Sequence, residues 1–470
     1  MRNVVIYRSE LLRYSETFIA RQAAAMRRYL PVFAGARHVP GSLSLPARSM
    51  TVADGNSVLD RARRAAFFAL GYAPDLKAAL QREYPALLHA HFAPDAAEAL
   101  PLARVLGLPM IVTLHGYDVM ADDSVHRQTR RGRIYLSRRE ELLRSAKLFL
   151  CVSEAVRDKA LERGFPAGRI EVLPIGVDLQ CYKVAERRTP SPVSPVTPIS
   201  PIILFVGRLV EKKGCVHLVR AMSRVRAEIP GAQLVIIGDG PERARLRIEA
   251  SIYAPGTRFL GVQSAGEVQR QMAGSRVLAV PSIRAQSGDA EGLPTVVGEA
   301  LASGLPVAGF RSSGIPELVR HGIEGCLSEE GDEAGLARNL ILLCRNDDLA
   351  AAMGEAGRRR VEERFNIAVL TSRLEDIYDE LLGRTRTVPQ RAGAGLDRIS
   401  RQLRQRPANS HPVNGVHTPR EGPCEGPQEG IGASCASGDE VAGNVARLTV
   451  LWKPGVAQQA QPATPGREHP

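Results

Sequence analysis

Two carboxylates eight positions apart frame the stretch Gly288–Gly304, which reads GDAEGLPTVVGEALASG. Glu291 falls in a Gly/Pro-rich turn and Glu299 in an apolar run. The spacing predicts a helix over Pro294–Ser303, with Val296, Val297, Ala300 and Leu301 on its buried face and Gly304 past its end. The start of that helix, Gly292, Leu293, Pro294 and Thr295, carries free N–H groups that suit phosphate oxygens. Carboxylates repel phosphate, so Glu291 and Glu299 make chemical sense on either side of one, each accepting hydroxyl protons. A nucleotide-sugar has that order of parts, with Glu291 at the sugar and Glu299 at the ribose. The plain alternative is a surface loop leading into an amphipathic helix.

A second polar group follows a strand-like run. Phe205–Gly214 reads FVGRLVEKKG, so Gly207, Arg208 and Lys213 come directly after the apolar residues 202–206. Arginine is a planar fork and lysine a point charge, and both suit a diphosphate at the carboxyl edge of a parallel sheet. Read alone, they are also what an exposed basic turn contains. Leu234–Glu242, LVIIGDGPE, repeats the strand-then-turn pattern; Gly238 and Gly240 allow close backbone approach and Pro241 is placed to begin a helix. On its own that segment is only a strand-to-helix turn.

The elements that must position these residues alternate along the chain. Val4–Tyr7, Leu87–Ala90, Met110–Leu114, Leu148–Val152 and Glu171–Pro174 read as buried strands, with helices at Thr17–Arg28, Ala96–Leu106, Arg138–Ser145 and Glu154–Arg163. Residues 187–201, RRTPSPVSPVTPISP, are too proline-rich for helix or ladder and read as a linker. The pattern then restarts, with strands at Ile202–Val206, Gln233–Ile237, Arg258–Leu260, Val277–Val280 and Pro306–Gly309. Helices at Val216–Glu228, Pro241–Ala250, Glu267–Ala273 and Pro294–Ser303 lie between them. The fold class is therefore α/β, two Rossmann-like domains facing a cleft, with ligands expected at the carboxyl ends of strands. Residues 361–382 read as one last amphipathic helix, and 384–470, rich in Gly, Pro, Gln, Arg and Ser, as a mostly disordered tail.

Bulk properties narrow the class. The 470 residues suffice for two or three domains, and a hydrophobic share of 44% is ordinary for a soluble protein. No run is long and apolar enough for a transmembrane helix, and the N-terminus MRNVVIYRSE lacks the pattern of a signal peptide. Seven scattered cysteines without CxxC spacing suggest neither a zinc site nor a disulfide framework, and a reducing cytoplasm fits them. The net charge of +12 concentrates at Arg61, Arg63 and Arg64 and between Arg127 and Arg139. With little aromatic interleaving and no nucleic-acid motif, no nucleic-acid partner is expected. An anionic membrane surface or anionic small molecules attract the same charge, and a simple solvated face remains the alternative.

Taken in order, these segments resemble the family-4 retaining glycosyltransferases of GT-B fold. The pair Glu291/Glu299 matches the family's Glu-x7-Glu motif, and Phe205–Gly214 and Gly238–Pro241 look like its diphosphate and nucleotide segments. Ser312–Gly325 is similar to the usual sequel, and Cys151–Asp178 has the family look. Thr113–Asp118, TLHGYD, resembles the loop that turns a histidine, here His115, toward the donor sugar. Ser15–Ile19 (SETFI) in place of a glycine-rich first loop, and His89–Phe92 (HAHF), resemble the colanic-acid type of exopolysaccharide transferase. Ser15 and Thr17 are expected to cap the following helix or to meet phosphate, and His89 and His91 to be structural.

The resemblance, over roughly residues 1–382, implies an acceptor domain at 1–186, the linker, a nucleotide-sugar domain at 202–360 and a crossover helix at 361–383. It implies transfer of a sugar, with retention, from a nucleotide-diphosphate donor to a growing glycan on a polyprenyl diphosphate. His115, Arg208, Lys213 and Glu291 then act at the reacting centre. Gly207, Gly238, Gly240, Pro241, Gly292, Leu293, Pro294, Thr295 and Glu299 hold the donor. No cofactor and no essential metal are implied, and the enzyme is expected in the cytoplasm, peripheral at the inner face of the membrane. A nucleotide-sugar 2-epimerase and a non-catalytic glycan-binding scaffold are the alternatives on a similar fold.

Overall fold

Short apolar runs without polar alternation are what strands covered on both faces require, and among the described residues they build two large all-parallel sheets. The structure, a computed structural model, describes residues 1–45, 47–182 and 200–384. The expected linker, apart from Ser200 and Pro201, and the expected tail, apart from Arg384, lie outside the described residues. Both sheets belong to one unit, Met1–Val388; the second unit, Pro389–Pro470, is likewise outside the described residues.

The N-terminal sheet has seven strands in the order Ser49–Thr51, Tyr29–Gly35, Arg2–Tyr7, Pro85–His91, Met110–Leu114, Leu148–Cys151, Ile170–Val172. The C-terminal sheet has six, in the order Arg258–Gly261, Gln233–Ile237, Ile202–Val206, Val277–Val280, Val307–Phe310, Gly325–Ser328. In each sheet the first strand is central and the order reverses beside it, which is the doubly wound arrangement. The two reversal points fall between Arg2–Tyr7 and Pro85–His91 and between Ile202–Val206 and Val277–Val280. Crevices at the carboxyl ends of those strands are where such sheets bind ligands.

Several boundaries differ from the expected ones for physical reasons. The first helix stops at Ala24 rather than Arg28, because the chain enters the strand Tyr29–Gly35. Pro31 is tolerated there because Ser49–Thr51 pairs only with Phe33–Gly35, leaving the proline without a ladder bond to make on that side. The helix expected at Arg138–Ser145 begins at Arg130, where Thr129 caps it by accepting from the Gly132 N–H. Gly132 fits because a Cβ there would lie 2.0 Å from the His126 carbonyl oxygen. The stretch 361–382 is not one helix. The helix Asp347–Arg364 ends, Asn366 accepts from the Ala368 N–H, and a new helix runs over Ile367–Leu381. That break lets the last helix leave the C-terminal half and pack on the N-terminal one, where Tyr378 meets Tyr29 and His89.

Candidate active site

The C-terminal side of the site is made by loops that leave adjacent strands. After Val206 and Ile237 the two loops zip together, with Gly207 N–H donating to the Ile237 carbonyl (3.0 Å) and Leu209 N–H to that of Asp239 (2.9 Å). A Cβ on Gly238 would lie 1.9 Å from the Gly207 oxygen, and one on Gly240 would lie 2.3 Å from that of Leu209. Both glycines therefore serve this backbone contact. Pro241 does not begin the helix: it is exposed in the turn, and the helix starts at Arg243.

The short turn Glu211–Lys213 aims two neighbouring lysines at the polar loop that follows Val280. Lys213 Nζ lies 2.9 Å from Glu291 Oε1, and Lys212 Nζ lies 3.0 Å from Asp289 Oδ1. Lys212 has no signal in the sequence beyond standing next to Lys213 in EKKG. Burial pushes the Glu291 carboxyl up, but the cations of Lys213, Lys212 and Arg208 outweigh it and hold the group below the usual carboxylate range. Arg208 is exposed and forms no ion pair with any described residue.

Beyond Glu291 the helix Thr295–Ala302 begins without a side-chain cap, Pro294 standing at the N-cap. Its first turn is therefore free of any side-chain acceptor, which is what an anion-binding helix start requires. Glu299, on the same helix, is held by the other half of the molecule: Arg21 Nη1 is 3.2 Å from its Oε1 and 3.1 Å from the hydroxyl of Tyr182. Burial raises the Glu299 carboxyl above its ordinary range, and Arg21 and Tyr182 only partly offset this.

On the N-terminal side, His115 follows the strand Met110–Leu114. Asp118 shapes its loop by accepting from the His115 N–H (2.6 Å) and the Ala93 N–H (2.5 Å). The second bond secures the start of the helix Ala93–Leu106, whose preceding residue, Phe92, has a φ of +72°, rare for an aromatic side chain. The Phe92 ring lies 4.5 Å from that of His115 and carries the Arg8 guanidinium 4.5 Å above it. His115 Nδ1 is buried without a partner among the described residues, and its Nε2 is 3.0 Å from His91 Nδ1.

The two sides touch. A Cβ on Gly292 would lie 2.1 Å from the His115 oxygen, and one on Gly116 would lie 2.8 Å from the Gly292 nitrogen. Ser153 Oγ donates to the Gly292 carbonyl (3.0 Å), and Glu317 accepts from the N–H groups of Glu154 (2.9 Å) and Ala155 (3.0 Å). A small pocket with room for little more than one water molecule lies between the sides, lined by Thr17, Phe18, Arg21, Leu293, Thr295 and Glu299 among others. Ser15 is exposed and neither it nor Thr17 caps the first helix. The N-cap is Glu16, whose side chain instead holds Arg8 at 2.7 Å.

The structure thus gathers Lys213, Glu291, Gly292, Leu293, Pro294, Thr295, Glu299 and His115 around one cleft. Arg208 and Gly207 stand at its C-terminal wall. Gly238, Gly240 and Pro241 lie in the neighbouring turn. Arg21 and Tyr182 hold Glu299 from the other half, and Glu317 ties the two halves at the start of the helix Glu154–Glu162. No spacing could have found them, since their side chains partner residues far away in sequence: Arg21 meets Tyr182 and Glu299, 161 and 278 positions on, and Glu317 meets the Glu154 N–H, 163 positions back.

Residues 191–360 match the family described as Glycosyl transferases group 1, and residues 17–180 match Glycosyltransferase Family 4. The chain is 28% identical to the amylovoran biosynthesis glycosyltransferase AmsK of Erwinia amylovora, over 66% of this chain and 74% of that protein. It is 31% identical to WcaL of Escherichia coli (strain K12), a glycosyltransferase named for colanic acid biosynthesis, over 62% of this chain and 70% of that one. Among solved structures it resembles the sucrose-phosphate synthase of Thermosynechococcus elongatus, with a TM-score of 0.65 at 20% identity over 82% of this chain and all of that one. It also resembles Anabaena Alr3699/HepE in complex with UDP and glucose, with a TM-score of 0.62 at 19% identity over 81% of this chain and all of that one. These likenesses fall on the two halves whose loops form the cleft, and the chain belongs to the group 1 and family 4 glycosyltransferases, with the GT-B fold.

Proposed function

We propose that the protein moves a sugar, with retained anomeric configuration, from a nucleoside-diphosphate sugar to a growing exopolysaccharide on a lipid diphosphate. The observation that carries this reading is the Lys213–Glu291 ion pair, set shortly before the uncapped helix Thr295–Ala302 and next to Gly292, which packs against the His115–Gly116 peptide. The diphosphate takes the helix N–H groups, Lys213 and Arg208, while Glu291 and His115 take sugar hydroxyls and Glu299 the ribose. The bond from the anomeric carbon to the phosphate oxygen breaks, a bond to the acceptor oxygen forms on the same face, and the acceptor proton passes to the leaving diphosphate. Glu291 is tied to Lys213, which suits it to holding hydroxyls rather than to attacking carbon. Cations and amides already placed at the leaving group lower the barrier by preorganisation, so no cofactor or essential metal is required.

The acceptor sits in a bilayer, and the N-terminal half offers a surface for it. Arg64 is not part of that surface: it is buried and donates to the carbonyls of Ala53 and Gly55 (both 2.7 Å). Arg131 binds the buried Asp95 and Glu98, Arg139 pairs with Asp123, and Phe67 is fully buried. Arg61, Arg63, Arg127, Arg130 and Arg133 remain exposed, beside Val58, Leu59, Leu70 and Tyr72, which are 74%, 60%, 76% and 63% exposed. No helix of the described residues is long and apolar enough to cross a membrane. This basic and apolar face is the one we place on the cytoplasmic leaflet.

Incubation with a panel of nucleoside-diphosphate sugars, with and without a lipid-linked acceptor, tests the reading. Product that needs the acceptor, keeps the anomeric configuration and forms equally in chelator supports it. A new sugar nucleotide formed without acceptor indicates an epimerase, and binding without turnover of any donor indicates a scaffold.

A further inference from the structure

Three imidazoles stand in a row behind the candidate donor-sugar site. His89 and His91 stack with ring centres 4.6 Å apart and planes inclined by 22°, and His91 and His115 with centres 5.2 Å apart and planes inclined by 24°. The far end of the row is fixed. His89 Nδ1 is 2.6 Å from the Tyr378 hydroxyl, and His89 Nε2 is 2.7 Å from Thr113 Oγ1. His91 is therefore wedged between two rings and is only 2% exposed. At the near end, His91 Nδ1 and His115 Nε2 are 3.0 Å apart, and the remaining nitrogen of His115 is buried without a partner.

Burial lowers the affinity of all three rings for a second proton, so at neutral pH each is uncharged. A neutral imidazole has one N–H and one bare nitrogen. A bond between Nδ1 of one ring and Nε2 of the next then allows only two arrangements. In one, His91 Nδ1–H donates and His115 carries its own proton on Nδ1. In the other, His115 Nε2–H donates and Nδ1 of both rings is bare. Both rings must share one tautomer, and that tautomer decides whether His115 Nδ1 gives or accepts a hydrogen bond.

We propose that His91 is a positioning residue that sets the tautomer and ring orientation of His115, and with them the polarity of the contact His115 makes to the donor sugar. This rests on the reading of His115 as the group that faces that sugar. Two adjacent histidines with a two-residue spacing, His89 and His91, would then have separate tasks: the first anchors the row to the last helix, and the second orients the third ring.

The test compares His91→Leu, His91→Asn and His115→Ala in the full-length protein. The amide of His91→Asn can place one polar atom where Nδ1 stands. His91→Leu is expected to lower kcat about three- to tenfold, the loss of one neutral hydrogen bond, with nucleoside-diphosphate affinity unchanged, and His91→Asn to recover most of it. Nitrogen-15 spectra of histidine-labelled protein should show His91 and His115 in the same tautomer in the wild type, and mixed tautomers of His115 in His91→Leu. If His115→Ala keeps full kcat, the role of His115 itself is wrong. If His115→Ala loses activity while His91→Leu does not, or if the two rings hold opposite tautomers, the role of His91 is wrong. The wild-type spectrum and the His91→Asn kinetics decide the matter even where His91→Leu does not fold.

Discussion

Lys213 and Lys212 are neighbours with different duties. Lys213 pairs with Glu291, whereas Lys212 is 9% exposed and ties Asp289 and the Ala290 carbonyl (3.4 Å) into the loop. Lys213→Ala and Arg208→Ala are each expected to cut kcat/KM by about 10²–10³, the cost of removing one leaving-group stabiliser. Steady-state kinetics with a saturating acceptor measures this, and near wild-type values in both variants would remove the diphosphate from this spot. Asp118 gives a second prediction. Burial raises its carboxyl to about 6, against the pull of the His115 and Ala93 N–H groups. The folded protein holds this proton more tightly than the unfolded chain, so stability from this group is fully present below the unfolded value of 3.8 and is lost as pH rises through about 6. Ionised Asp118 thus costs stability at neutral pH and holds the His115 loop. Asp118→Asn should keep or raise the melting temperature at pH 7 while lowering kcat by about 10–100-fold, the worth of hydrogen bonds to a charged group. The acid fall in wild-type activity near pH 6 should also be absent from the variant; a profile identical to wild type would exclude Asp118 as its source. At this scale the sequence could present Glu291, Glu299, Lys213 and His115, because three of them stand in turns next to a strand or helix start and Glu299 is a lone carboxylate in an apolar helix. It could not present Arg21 or Glu317, whose partners are fixed only when the two halves meet.

One oxygen of the last described helix, Ile367–Leu381, gathers three backbone donors of the N-terminal half. Glu375 Oε1 accepts from the N–H groups of Arg27 (2.8 Å), Arg28 (2.6 Å) and Tyr29 (3.1 Å), at the junction between the first helix and the strand Tyr29–Gly35. Around it, Arg28 reaches Asp376 and Asp379 (both 2.7 Å), and the Tyr29 hydroxyl donates to Asp379 (2.8 Å). Glu375→Ala leaves that turn of backbone without its acceptor and should destabilise the protein by about 3 kcal/mol, since unsatisfied buried donors cost ~1–3 kcal/mol each. Glu375→Gln can keep an oxygen at the same point and should lose about 1 kcal/mol. Urea unfolding of the three proteins checks the order, and equal losses for Ala and Gln would mean that charge rather than acceptance matters. Elements with apolar runs and no proline were legible: Ile202–Val206, Gln233–Ile237, Met110–Leu114 and Val277–Val280 stand where their composition places them. Tyr29–Gly35 was hidden by Pro31, and the helices Val58–Leu70 and Pro74–Arg82 by an exposed face that blurs the apolar period. The break at Phe365–Asn366 was hidden because its cause is a bridge to Val177, far away in sequence.

For the whole molecule, the two-sheet plan follows from the repeated alternation of strand and helix, whereas the cleft contacts follow from tertiary structure alone. The basic face of the N-terminal half yields a prediction at this scale. With about 1 kcal/mol for each basic residue at an anionic surface, Arg61, Arg63, Arg127, Arg130 and Arg133 should hold the protein to acidic vesicles reversibly, with release by salt. Charge reversal at these five should abolish flotation with anionic vesicles. Arg64 and Arg131 are unsuitable for that experiment because their loss strips buried carbonyls and carboxylates of partners. Equal flotation with neutral vesicles, or none lost on reversal, would leave the face unassigned to membrane. The chain passes between the halves twice, once after Tyr182 and once at Phe365–Ile367. The passages are joined: Val177 N–H donates to the Phe365 carbonyl (2.7 Å), Ile367 N–H to that of Val177 (3.0 Å), and Arg358 to that of Tyr182 (2.6 Å). A single strand between two bodies leaves them free to twist and slide, but two strands laced side by side act as the pin of a door. The bonds made by Val177 and Tyr182 therefore resist torsion of one half against the other. Gly292 and the His115–Gly116 peptide stand on the two sides these passages join, so the register of their close contact depends on the lacing staying whole.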